Sequence, residues 1–469
     1  MIEYYKQNYT DGFFDLSKNG FLPIKDPLQN LSERYNKLQN LIDNLYVVKD
    51  NGNGILSIPN KIEEEINNLP NYSDIIKNEN DIFYFQALFR TYTILTSAYT
   101  LELSYQEYMK SGNYGKARDF LPSNLSEPLV YVSEKIGAFP WLDYFYAYGP
   151  GNYVKLFSHG GLHWSNLDMA CKFHGSNDEI GFMMVHVYIN ELSPLLVKSV
   201  MDYGIYKSND NLLLCCKILK EMNERRKEMW TASRFERYND FRIFIMGIQG
   251  NTDIFPNGLI YENCFNNEPQ YYRGQTGAQD SIIPMIDIFT GIVDYYPDNQ
   301  LTKYLLDLRS YRPKCIQDFF KDLREYYHNT NNNLFNHLKS TNNIEGLIYL
   351  LKIVDEVYLF RNGHWQFVQK YIMSNTKYSY ATGGTPITSW LINQIDAVLN
   401  FENDIINFIS CIEERKFDNI SNKDMWLSLN DSYPRKRKLL DEQIKELQNN
   451  EYNITTIYEK NKELNLEDK

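Results

Sequence analysis

Residues 345–374, EGLIYLLKIVDEVYLFRNGHWQFVQKYIMS, constrain the fold more than any other stretch. Leu350, Val354, Val357, Phe360, His364, Phe367, Val368 and Tyr371 recur at steps of three and four, which places them on one face of a single long helix. In the middle of that apolar face stands one imidazole, His364. Gly363 precedes it and removes a side chain there. A glycine inside a helix costs about 1 kcal/mol relative to alanine, so a compensating contact is expected, such as a bulky neighbour approaching the backbone. Arg361 lies one turn earlier, where a cation reaches the edge of whatever the imidazole touches. The pattern leaves two readings. His364 is a hydrogen-bonded core histidine, or it is an axial ligand to a flat apolar cofactor, with Arg361 pairing a peripheral carboxylate.

The rest of the chain limits the choice. Its 469 residues suffice for two or three domains. With 43% hydrophobic and 23% charged residues it is globular rather than disordered. The 38 tyrosines and 26 phenylalanines suit the lining of flat apolar pockets. A net charge of −12 would repel phosphates, so nucleic acid is not an expected partner. The six cysteines (171, 215, 216, 264, 315 and 411) show no CxxC spacing, which fits a reducing compartment. MIEYYKQNYTDGFFDL has acidic residues early and no apolar core of a secretory signal. No apolar run reaches the ~18–20 residues of a membrane span, and the best candidate, SIIPMIDIFTGIV, contains Pro284 and Asp287. The expectation is a cytoplasmic protein with neither membrane nor nucleic acid as a partner.

Helical spacing recurs over residues 31–45, 62–69, 81–109 and 124–136, and strand patterns are scarce, so the fold class is all-α. Residues 137–176 are rich in Gly, Pro, His and aromatics and mark a boundary. They include His159, His163, Cys171 and His174, at spacings that suit zinc, but Gly160 and Gly161 argue against a helix presenting the first pair. The expected division is 1–150, 151–412 and a charged helical extension, 413–469. Residues 178–196 form an apolar run in which Phe182, Val185, His186 and Ile189 are helical neighbours. His186 there is either a core histidine bonded to a carbonyl or a polar group suited to a bound ligand. Residues 212–229, with Lys217, Lys220, Glu221, Glu224, Arg225 and Arg226, read as a solvated surface helix. YRGQTGAQDSIIPMIDIFTG lacks the lysine of a phosphate loop, but its Gly274–Gly277 backbone suits close passage by a flat ligand. Thr385 and Pro386 look like the cap and first residue of a helix. PRKRK at 434–438 and the helix after it read as solvated.

GHWQFVQKYI, followed by ATGGTPITSW, resembles the C-terminal part of the indoleamine 2,3-dioxygenase family of haem proteins. FRIFIMGIQGN, YRGQTGAQDSIIPMIDIFTG, FLPSNLSEPLVYVSEKIG and NGFLPIKDPLQNL resemble further segments of that family, in patches over residues 19–400. The resemblance implies a small N-terminal and a larger C-terminal helical domain enclosing haem b. It implies that His364 ligates the iron, that Asp287 orients Arg361 on a propionate, and that Gln275, Thr276 and Gly277 border the haem edge. It implies that Phe182 and His186 line the open side. His186 stands where vertebrate members have serine and the related tryptophan 2,3-dioxygenases have histidine, so a contact to the indole N–H or to dioxygen is implied. It implies that Arg242 holds the substrate carboxylate and that Thr382, Gly383 and Gly384 form a mobile loop closing over the substrate amine. Arg237 and Tyr238 stand where members often have two phenylalanines against the indole, so both are implied to be substrate-binding, with Arg237 a second carboxylate contact or else a surface charge, and pocket shape and preferred substrate are left open. The implied partners are L-tryptophan or a related indole, O2 and an electron donor that keeps the iron ferrous. The implied product is N-formylkynurenine. A haem oxygenase for another aromatic amino acid, a non-catalytic haem oxygen binder and a zinc-stabilised helical protein are the alternatives.

Overall fold

Residues 82–111 contain neither proline nor glycine, and in the computed structural model they form one thirty-residue helix, α1 (Ile82–Ser111). The structure describes residues 9–49, 52–329, 333–373, 378, 380–385, 387–417 and 420–449. Asp81 caps α1 by accepting from the Phe83 amide at 2.8 Å, and Gly112 ends it in the left-handed region, φ +75. α1 is buried on nearly every side, so it acts as the axle of the N-terminal half rather than as an amphipathic surface helix. α2 (Ser123–Ile136) packs along it. The short strand Phe120–Leu121 pairs in parallel with Leu259–Tyr261, which pairs antiparallel with Pro269–Gln270. Strands are otherwise minor, and the architecture is all-α as the sequence suggests.

Residues 140–154 are packed into the body of the protein, whereas residues 156–159 are exposed. Tyr144, Phe145, Tyr146, Ala147 and Tyr148 form one buried π-helical turn capped by Asp143, and a short hairpin, Tyr153–Lys155 with Leu167–Met169, follows. Next come α3 (Asn177–Asn190), α4 (Ser193–Tyr206) and α5 (Asn209–Lys227). Residues 177–206 together are long and apolar enough to cross a membrane by length and composition, which the 281–293 run singled out from sequence is not; 56% of their most apolar 18-residue stretch is buried in the fold. The Ser176 hydroxyl caps α3, and Glu179 in its first turn accepts the amides of Phe173, His174 and Gly175 and the Tyr148 hydroxyl, all within 2.7–2.8 Å.

α6 (Ile282–Thr290) and α7 (Lys314–Arg324) lead to the central helix, α8 (Ile344–Phe367). Asn343 caps α8 at Gly346, and the chain continues through a π-helical turn, Val368–Met373, so the predicted long helix is present with a change of pitch four residues after His364. α8 packs most extensively against α5 and α9 (Ile387–Ser410). The last helix among the described residues, α10 (Lys423–Asn449), lies across α8 and α9.

The expectation of a solvated C-terminal helix is corrected here. Trp426, Leu429 and Leu440 are buried, and so is Lys436 from the PRKRK run. Lys436 Nζ donates to Asp355 Oδ1 of α8 at 2.5 Å and to Glu402 Oε1 of α9 at 2.6 Å. Arg437 pairs with Asp396 of α9 at 2.6 Å. Charge in this run is partnered acid by acid, which a linear reading of PRKRK does not reveal.

Candidate functional site

A cavity with about 1390 Å³ of empty space, its open mouth included, lies between α3, α5, α6, α8 and α9. Most of its wall is apolar, with Ile189, Met222, Met229, Ile283, Phe360, Phe367, Val368 and Leu391 among its residues. An apolar lining of this kind, with a few polar groups converging on it, suits a flat apolar ligand. His364 enters from α8. Its ring meets the cavity rather than bulk water, and burial, aided by the nearby His186 and Arg226, pulls it down to about 4. At neutral pH it is an uncharged imidazole with a lone pair to offer a metal.

One turn earlier on α8, Arg361 donates through Nη2 to Asp287 Oδ2 at 2.6 Å and lies 3.0 Å from the Tyr296 hydroxyl, which itself donates to Asp287 Oδ2 at 2.6 Å. Asp287 is 1% exposed, and burial pushes its carboxyl up against the pull of Arg361 and Tyr296. Its second oxygen, Oδ1, is buried with no hydrogen-bond partner. Arg309 joins the same part of the wall and acts electrostatically on Asp287. Two arginines around one aspartate leave surplus positive charge at the cavity edge, which fits the anionic side chains of a haem. Together with the neutral imidazole and the apolar walls, these residues fit that cofactor.

His186 reaches the cavity from α3. Its Nδ1 lies 2.9 Å from the Phe182 carbonyl oxygen. A carbonyl only accepts, so Nδ1 carries the proton, and Nε2 is left as an acceptor beside Gly277. Burial lowers its pKa and keeps the ring neutral. Phe182 and Tyr238 continue this wall, with ring centroids 4.9 Å apart.

Other residues singled out from the sequence sit one layer back. Arg237 is half-exposed and pairs with Asp240 at 2.6 Å. Arg242 is fully buried but off the cavity wall. Its Nη1 donates to the Tyr114 hydroxyl at 3.0 Å, its Nη2 to the Tyr380 carbonyl at 2.7 Å, and its Nε has no partner. Residues 382–384 are docked on neighbouring backbone. The Gly247 amide donates to the Thr382 carbonyl at 2.8 Å and the Tyr304 hydroxyl to the Gly383 carbonyl at 2.9 Å. Gly384, at φ +88, lies so close to Gln249 that a side chain on it would overlap the Gln249 carbonyl. Gln275 is buried off the wall, and Thr276 faces Gly383, while Gly277 and Ala278 line the cavity. His163 bonds Ser165 and Glu228, and His174 lies 3.8 Å from Asp240. Among the described residues no three His, Cys, Asp or Glu side chains converge as a metal site.

A sequence model described as indoleamine 2,3-dioxygenase matches residues 12–403. The chain belongs to the indoleamine 2,3-dioxygenase family. It is 28% identical to indoleamine 2,3-dioxygenase 1 of Rattus norvegicus over 222 residues, 44% of this chain and 52% of that protein. Against indoleamine 2,3-dioxygenase 1 of Mus musculus it is 24% identical over 312 residues, 63% and 69% of the two chains. It is 26% identical to a 6-hydroxytryptophan 2,3-dioxygenase of Fusarium equiseti, across 42% of this chain and 50% of that one. The chain thus spans about half the length of the rat relative, and α10 lies beyond the family match.

Within this member of the indoleamine 2,3-dioxygenase family, the linear reading misses Arg226, Tyr296, Arg309 and Gln394 on the cavity wall. For Arg226 a signal exists. Leu212, Cys215, Cys216, Leu219, Met222 and Asn223 form the buried face of α5, and Arg226 continues that spacing. Reading its charge as solvated overrides the register, and the register is right.

Proposed function

We propose that this chain is a haem-dependent dioxygenase that inserts both atoms of O2 across the indole C2–C3 bond of L-tryptophan, giving N-formylkynurenine. The observation that carries the reading is a neutral imidazole, His364, on the wall of a large apolar cavity, one helical turn from an arginine–aspartate pair. Haem b ligated there would supply the oxygen chemistry. Everything else falls to the chain's own side chains. Arg361, braced by Asp287 and Tyr296, holds an anionic edge of the cofactor, and Gly277 keeps the backbone free of a side chain beside His186. His186 Nε2, left as an acceptor, takes the indole N–H, while Phe182 and Tyr238 flank the ring. Arg242 has an unpartnered Nε and, among the described residues, no carboxylate in contact, which suits a substrate carboxylate. It now holds the Tyr380 carbonyl, so binding there involves a shift of the 380–385 segment. An electron donor keeps the iron ferrous, and the cytoplasm, where the six free cysteines stay reduced, is the proposed location.

The direct test is to reconstitute the purified protein with haemin, record the Soret band, and add ascorbate, methylene blue and L-tryptophan. Formylkynurenine absorbance is the expected result. Zinc without haem overturns the reading. Haem without product on tryptophan, tryptamine and 6-hydroxytryptophan shifts it to a non-catalytic oxygen binder. The 6-hydroxy compound belongs in the panel because of the name of the Fusarium relative.

Two substitutions probe the substrate side. Replacing His186 by alanine removes an acceptor worth about 1–3 kcal/mol, so kcat/KM for tryptophan should fall roughly 10–100-fold. 1-Methyltryptophan, with no indole N–H, should show a far smaller loss; equal losses on both rule out the contact. Replacing Arg242 by alanine should raise KM by about 10–100-fold with a smaller effect on kcat, and lysine should not rescue it, because the fork is lost. Unchanged kinetics in the alanine variant would remove Arg242 from the substrate site.

A further inference from the structure

α5 runs alongside α8, with Cys216 beside Tyr349 and Asn223 beside Glu356, and its C-terminal turn reaches Gly363, immediately before His364. A methyl group on Gly363 would overlap the guanidinium carbon and both terminal nitrogens of Arg226. The space left by the missing side chain is therefore filled by a cation. That guanidinium also lies over the Phe367 ring, 5.3 Å from its centroid, and forms part of the cavity wall. Its Nε donates to Asn223 Oδ1 at 3.4 Å, and among the described residues no carboxylate pairs with it. Its neighbour Arg225 behaves in the ordinary way, reaching Glu191 at 2.8 Å and Glu221 at 3.1 Å. Arg361, one turn from His364, is paired with Asp287, and Arg309 lies beside that pair; of the cavity's cations, Arg226 is the one that acts on the imidazole. Arg226 is thus the less compensated charge beside the imidazole, and it disfavours a second positive charge there. A half-buried cation without a counter-charge is costly to fold, and here it also obliges a glycine inside the central helix.

We propose that Arg226 is a positioning residue that tunes the cofactor: its fixed charge, seated on the bare backbone of Gly363, favours the ferrous over the ferric state of the iron held by His364. The inference rests on the haem reading above. Oxidation of ferrous to ferric iron adds one positive charge at the metal. A guanidinium fixed nearby in a poorly solvated wall raises the energy of the more highly charged state, because Coulomb repulsion is little screened there. The site therefore holds the oxidation state that takes up dioxygen, and an external donor has less work to do.

The test measures the midpoint potential of the haem-loaded protein by spectroelectrochemical titration, alongside haem stoichiometry and circular dichroism. Wild type is compared with Arg226→Met, Arg226→Gln, Arg226→Lys and Gly363→Ala. Met and Gln, which keep the stem and lose the charge, should shift the potential to lower values and speed autoxidation of the reduced form. Lys should retain most of the wild-type potential. Gly363→Ala, which displaces the guanidinium while leaving the charge in the chain, should shift it in the same direction as Met. Should Met fail to load haem, Gln and Gly363→Ala carry the comparison. Wild-type potential in the fully loaded neutral variants overturns the inference alone. A wild-type chain that takes up no haem overturns the functional reading and this inference with it.

Discussion

Replacing His364 by glycine should leave a folded chain that no longer retains haem: the Soret band of the reconstituted protein disappears on gel filtration, and tryptophan turnover falls to background. Loss of an outer partner of a metal ligand costs roughly 10–100-fold in affinity, and loss of the ligand itself costs more. The fold should survive because the ring lines the cavity, where burial holds it well below the usual histidine range. A helix-interior glycine costs about 1 kcal/mol relative to alanine, so melting of the haem-free protein should move by only a few degrees. Adding free imidazole to the glycine variant should restore a Soret band, because the vacated space admits the missing ring. A variant that keeps full haem loading and turnover without imidazole would show that another group holds the iron.

The same residue illustrates what a linear reading captures. The three-and-four spacing over 350–371 already places His364 on an apolar face, and α8 delivers that face to the cavity. Asp287 and Arg361 are 74 positions apart, yet both are identified by resemblance and meet at 2.6 Å. Helix spacing is a local property, and it is read well. Spatial layering is not. Arg242, Gln275 and Thr382 stand in motifs that suggest the cavity but pack one layer behind its wall, because Gly247, Gly250, Gly274 and Gly384 let backbones approach so closely that the 380–385 segment docks on its neighbours. Nothing in a glycine's identity says which backbone will press against it. Charge is the other blind spot. Arg226 and Lys436 both stand in charge-rich runs that look solvated, and both are drawn inward by partners more than 30 positions away: Gly363 for the first, Asp355 and Glu402 for the second.

Removing the Lys436 side chain should strongly destabilise the haem-free fold. It joins α10 to α8 and α9 as the shared donor to two buried carboxylates, 4% and 0% exposed. Lys352 also reaches Asp355, at 2.6 Å, but Glu402 Oε2 has no partner, so Glu402 depends on Lys436. Breaking a buried pair by deleting one member costs about 3–5 kcal/mol, far above the roughly 0–1 kcal/mol of an exposed pair such as Arg435–Asp431. Lys436→Ala should therefore lower the denaturation midpoint strongly, and Arg435→Ala should hardly move it. The pH dependence supplies a second signature. Burial raises Glu402 to about 7, opposed by Lys436. A carboxyl whose folded pKa lies above its unfolded value takes up a proton on folding, so its contribution is complete below the ordinary glutamate range and is lost as pH rises through about 7. Removing Lys436 takes away the charge that restrains this rise. The stability gap between Lys436→Ala and wild type should accordingly be small near pH 5, where a neutral Glu402 tolerates the loss, and should widen toward pH 8. Equal urea midpoints for the two proteins at pH 8 would mean that α10 is held by its apolar face, Trp426, Leu429 and Leu440, and that the Lys436 pairs contribute nothing net.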